Sequence, residues 1–144
     1  MRLAIITLAA TTLAIVGGAA AIAAKEPKPS PLGPPPPAGT GLPSGQCIRS
    51  DDIRNHTIAD RSTMLLAVER NKTYRVTVDS ACLGGATSSD PIITRQPPGS
   101  RIICKPIDLD LAVSKGGFPS QCIVRSIVLM TPAEVAALPR KLKP

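Results

Sequence analysis

Four cysteines, one histidine and a few closely spaced aspartates are the residues in this chain from which chemistry could be built. Cys47, Cys82, Cys104 and Cys122 are separated by 35, 22 and 18 residues. No C-x-x-C pair occurs, so zinc ribbons, thioredoxin-type redox pairs and haem attachment lack the spacing they require. An even set of cysteines in a small exported domain reads most simply as two structural disulfides, with three connectivities open. A redox-active pair would need a low-pKa thiol beside a cation or a helix N-terminus, and nothing in the sequence shows such a thiol. Cys47 opens the first strand and Cys122 the last, and in a closed or rolled sheet those strands are commonly neighbours. The expected pairing is therefore nested, Cys47–Cys122 and Cys82–Cys104.

A Ser/His/Asp or Cys/His nucleophile system must use His56, the single histidine. It stands in Arg54-Asn55-His56-Thr57 just before a strand, and no G-x-S-x-G elbow is present. The catalytic alternative is a small hydrolase using His56 with an aspartate such as Asp60. A lone histidine at a strand start is more often a surface or packing residue. Asp108 and Asp110 share the wet face of an alternating run, while calcium would want six to eight oxygens and a D-x-D-x-D-G-type loop. There is no P-loop, G-x-G-x-x-G or H-E-x-x-H, so no catalytic, cofactor or metal site is expected.

With one Tyr, one Phe and no Trp, aromatic platforms for sugars or single-stranded nucleic acid cannot be assembled. The net charge is +7, and residues 47–144 carry +5 from 14 bases and 9 acids. The arginines are dispersed rather than clustered, and the basic balance favours anionic envelope surfaces through long-range attraction. Nucleic acid is a poor partner for an exported chain without a recognition-helix motif.

Export is read from the N-terminus. Arg2 precedes an uncharged run from Leu3 to Ala24, and 18 of the first 24 residues are apolar against 44 of the other 120. Gly17-Gly18 breaks any helix, and Ala21-Ile22-Ala23 fits the A-x-A cleavage pattern, so residues 1–23 are expected to be a signal peptide. An uncleaved anchor is the competing reading, because 22 uncharged residues can span a bilayer. No cysteine stands at the cleavage point, so there is no lipoprotein signal; the protein is expected in the periplasm or secreted, with no membrane span after cleavage. Residues 24–46 are expected to be a disordered linker, since eight Pro and four Gly leave only Leu32, Ala38 and Leu42 as apolar residues after Ala24.

Residues 47–144 are expected to form one disulfide-stabilised β domain. Met64, Leu66 and Val68 alternate, as do Tyr74, Val76 and Val78, and an Asn71 turn between them predicts a hairpin with those six side chains inward. Ile107, Leu109, Leu111 and Val113 predict an amphipathic strand ending at a Lys115-Gly116-Gly117 turn. Cys122 to Met130 predicts a central strand, and shorter strands are expected at Ile48-Arg49, Thr57 to Ala59, Ile92 to Thr94 and Arg101 to Cys104. Thr131-Pro132-Ala133-Glu134 is a capping box opening a helix that Pro139 limits to about two turns. Arg140, Lys141 and Lys143 make a basic tail. The fold expected is mainly β, a small antiparallel barrel or rolled sheet of about six strands with a short C-terminal helix.

The order Cys47-Ile48-Arg49, the Tyr74 strand leading to Cys82-Leu83, Ile103-Cys104 before Asp108, and Cys122-x-Val124 running into Thr131-Pro132-x-Glu134 resembles a small exported bacterial family, domain of unknown function 6491. That family has no established activity, so the resemblance implies location and architecture rather than mechanism. The function expected is a non-catalytic envelope or secreted binding or structural module, whose partner is an envelope protein or surface polymer.

Overall fold

In the computed structural model, residues 31–69, 71–96 and 99–144 of the 144-residue chain are described. The expected signal peptide, the first residues of the expected linker, Arg70, Pro97 and Pro98 lie outside them.

Period-two alternation builds the central hairpin. Strand β3 (Thr63–Val68) pairs antiparallel with β4 (Lys72–Val78), with Leu66 opposite Tyr74 and Met64 opposite Val76. Asn71 sits at φ 57°, the left-handed conformation a tight turn demands and Asn tolerates. All six expected inward residues are buried. On one side of this hairpin lies β2 (Ile53–Ile58), on the other β9 (Val124–Leu129), giving a four-stranded sheet in the order β2-β3-β4-β9. A second sheet pairs β1 (Ile48–Arg49) with β6 (Ile102–Ile103), and a third runs β5-β7-β8, from Ile92–Arg95, Asp110–Lys115 and Phe118–Cys122. The described residues are thus mainly β, with nine strands where about six were expected, in three antiparallel sheets, and no closed barrel forms among them. The sheets share one core, in which Ile48 and Ile103, Met64 and Val76, and Leu111 and Val113 meet.

Two strand expectations shift. Cys122 to Met130 is not one strand: β8 ends at Cys122, β9 begins at Val124, and exposed Ile123 marks the break. The alternation from Ile107 begins only at Asp110, because Pro106–Asp108 closes a 3-10 turn; the Asp108 carboxylate accepts from the Cys104 and Lys105 amides, which turns Ile107 outward. The Gly116-Gly117 turn forms as expected, both residues at positive φ between Lys115 and Phe118.

Helix α1 (Pro132–Ala137) starts on the expected capping box, with Thr131 Oγ1 accepting from Glu134 N–H and the Glu134 carboxylate accepting from Thr131 N–H. The following tail is more than a basic appendage: Leu142 in the 3-10 turn Arg140–Leu142 joins Leu138, Met130 and Leu65 in a second small core. Leu65, on the face of β3 opposite Met64, Leu66 and Val68, is covered by this C-terminal segment.

The disulfides correct the expected pairing. They join Cys47 to Cys104 and Cys82 to Cys122, an interlaced rather than nested pattern. The nested pairing required the first and last strands to be neighbours, whereas β1 pairs with β6. With Ile48 opposite Ile103, the next pair outward in that antiparallel register is Cys47 and Cys104, whose Cα atoms lie 4.5 Å apart. Cys82 reaches Cys122 because the chain leaving β4 crosses the β8–β9 break, where Asp79 N–H donates to the Ile123 carbonyl. The two bonds close loops of 57 and 40 residues. Each, taken alone, contributes about 4 kcal/mol in the chain-entropy account.

The expected disordered linker is also corrected from residue 31 onward. Gly39 N–H donates to the Arg125 carbonyl (2.8 Å), and Ile127 N–H donates to the Thr40 carbonyl (2.9 Å), so residues 39–40 lie along the edge of β9 that β4 leaves open. Leu42 N–H donates to the Cys104 carbonyl (2.7 Å), and the Leu42 side chain enters the main core. Gly41 passes so close to the β6 end that a Cβ there would stand 2.7 Å from the Cys104 carbonyl oxygen. Upstream, Arg75 Nη1 and Nη2 donate to the carbonyls of Leu32 (2.6 Å) and Gly33 (3.2 Å). Proline removes amide donors without preventing a segment from lying flat on a sheet edge, and two of the three apolar residues counted as too sparse to order it, Leu32 and Leu42, are the ones that dock.

Candidate functional site

The catalytic alternative can be placed directly. His56 lies on β2 opposite Leu66, half-buried, with its Nε2 enclosed and unpartnered. Burial lowers its pKa from the ordinary 6.5, while the backbone and the charge of Asp90 pull it back upward. Asp90, not Asp60, is therefore the acid beside the imidazole. The Asp60 carboxylate accepts from the amide and hydroxyl of Ser62 in a local turn, and the Asp90 carboxylate accepts from the amide and hydroxyl of Thr87. All four cysteines are in disulfides, so no thiol is free to pair with the imidazole. Among the described residues no group of three or more His, Cys, Asp or Glu side chains is placed to hold a metal ion. Asp108 is spent on its own turn, and Asp110 accepts from Gln121.

The binding alternative has more to work with. Ile107 is 86% exposed and Ile123 67%, and both line one groove of about 590 Å³. Each isoleucine is presented by a local constraint rather than a loose loop. Ile107 rides the proline-started, Asp108-capped 3-10 turn, and Ile123 occupies the β8–β9 break, where the disulfide at Cys122 and the Asp79 amide fix the backbone. Singly exposed apolar residues are ordinary, but two rigid ones facing one concavity form the kind of surface that marks an interaction site. Lys105 brings a positive charge to this groove, and Arg125, which also lines it, is paired with Asp79. Arg125 Nη2 donates to the Asp79 carboxylate (2.5 Å), and that hydrogen bond holds Asp79 below the usual carboxylate range. The opposite wall is Ala38, Gly39, Gly41 and Leu42, the segment laid along β9.

None of these groove residues was singled out from sequence as a site. Alternation alone places Ile107 in an amphipathic strand and Ile123 inside a central strand. Pro106 was the available signal, since proline at the start of the alternation argues for a turn rather than a ladder.

No helix among the described residues is long and apolar enough to cross a membrane. No protein-family description, curated protein or solved structure matches this chain.

Proposed function

We propose that this chain is an exported, non-catalytic binding module of the envelope or secreted space, and that it works through the Ile107/Ile123 groove. Export is inferred from residues 1–23 as a signal peptide, and two disulfides suit an oxidising compartment. The resemblance to domain of unknown function 6491 is part of this reading and adds a bacterial envelope setting without a mechanism. A rolled arrangement of the three sheets around their common core would serve as the rigid platform.

The observation that carries the reading is the pair of rigidly held, exposed isoleucines on one concavity beside Lys105 and Arg125. Such a groove takes an apolar group with a negative charge close by, as on an acidic envelope protein or polymer. The test is affinity capture from envelope extract with the wild-type protein and the Ile107→Asp/Ile123→Asp variant. A component retained by the wild type and lost with the variant supports the reading. Equal recovery by both, or recovery by neither, contradicts it.

A further inference from the structure

The segment from 31 to 42 is bound to the domain in the manner of a peptide ligand. Two of its main-chain groups bond the open edge of β9, and two consecutive carbonyls are gripped by Arg75. Leu32 packs into the second core and Leu42 into the first, while Gly41 makes an approach that no other residue type permits without displacement. Backbone pairing to an open strand edge gives affinity, and the side-chain pockets give specificity.

Nothing covalent ties this strap to its seat. Both disulfides join residues at or beyond Cys47, so the strap can leave without a covalent bond breaking. Residues 43–46, with Gly45 at φ 82°, are the only link between the strap and Cys47. The proline run limits the conformations available to the free segment, which lowers the cost of ordering it a second time.

We propose that residues 31–42 are an exchangeable strap, and that the β9 edge and α1 shelf accept the same segment from a second copy of this chain. Each partner gives its strap and receives the other's, the symmetric arrangement of a domain-swapped dimer. Because residues 38–42 wall the Ile107/Ile123 groove, each groove of the exchanged pair is built from both chains. The proposal stands on the strap's seat, not on what the groove binds, so the two readings fail separately. A short flexible link gives the strap an effective concentration in the millimolar range for its own seat, so dilute protein stays closed on itself. Shortening the link tips the balance, since four extended residues reach only about 14 Å and two about half of that.

The experiment deletes Ser44 and Gly45 from the full chain and measures mass by light scattering. A doubled mass is expected, returning to the single-chain value when Leu32→Asp and Leu42→Asp are added; a deletion variant that stays at single-chain mass overturns the proposal. A second measurement avoids the deletion. A labelled synthetic peptide of residues 31–44 is titrated into the full-length Leu32→Asp/Leu42→Asp variant and into wild type. Binding to the variant at least about tenfold tighter than to the wild type, whose seat is filled, is expected. Equal affinity, or no binding to either, overturns it.

Discussion

Replacing Leu42 with alanine distinguishes a docked strap from a free tether. Leu42 is 9% exposed and packs with the main core, while its amide donates to the Cys104 carbonyl at 2.7 Å. Truncating a buried leucine to alanine costs about 2–5 kcal/mol, and a residue at the margin of the core belongs at the low end, near 2 kcal/mol. In urea, with both disulfides intact, that cost lowers the unfolding midpoint by about 1.5 M for a domain of this size. In native-state hydrogen exchange, strap release gains the same free energy, so the Leu42 and Ile127 amides exchange about 30-fold faster. Gly41→Ala acts through a different contact to the same end, because its Cβ meets the Cys104 carbonyl, a backbone group that cannot rotate away. A residue on a free tether changes stability by less than about 0.5 kcal/mol. A Leu42→Ala change below that bound, with unaltered exchange at Ile127, refutes the docked strap.

Two further outcomes follow from buried polar groups. His56 is held with a lowered pKa, so the folded state binds its proton more weakly than the unfolded chain does. The stability this confers is present above pH 6.5 and is lost as pH falls through the folded-state value; the His56→Gln variant, followed by urea unfolding between pH 7.5 and pH 5, lacks that slope. Asp79 and Glu134 also carry lowered pKa values but titrate from an ordinary 3.8 and 4.5, below that window. Thr77 and Ser126 share a buried hydroxyl–hydroxyl hydrogen bond between β4 and β9. Thr77→Val strands the Ser126 hydroxyl and costs about 1–3 kcal/mol, whereas adding Ser126→Ala recovers part of the loss; strictly additive costs in chemical denaturation contradict the pairing.

The elements governed by local rules were legible in the sequence. The Asn71 hairpin, the double-glycine turn and the Thr131–Glu134 capping box depend on backbone conformations and neighbours within four residues, and each forms where the pattern places it. What sequence did not give depends on which strands become neighbours. The cysteine pairing follows from β1 lying against β6, and no periodicity encodes that choice. The cover of Leu65, made by Leu138 and Leu142, arrives from the far end of the chain, and no local alternation encodes it. Composition does not reveal the strap, because average hydrophobicity describes a segment's tendency to collapse by itself, not its fit to a preformed edge. Of the site, His56 and the cysteines were visible as residue types, whereas the groove arises from two interruptions of strand pattern that composition treats as noise.

Peptide mapping of the unreduced protein tests the account most directly, because the sheet pairing, the seat of the strap and the rigidity of Ile123 all rest on where the sulfurs join. Digestion under acidic, non-exchanging conditions is expected to yield one linked pair containing Cys47 with Cys104 and another containing Cys82 with Cys122, with no alkylatable thiol. Fragments joining Cys47 to Cys122 or Cys82 to Cys104, or a cysteine that alkylates before reduction, contradict it.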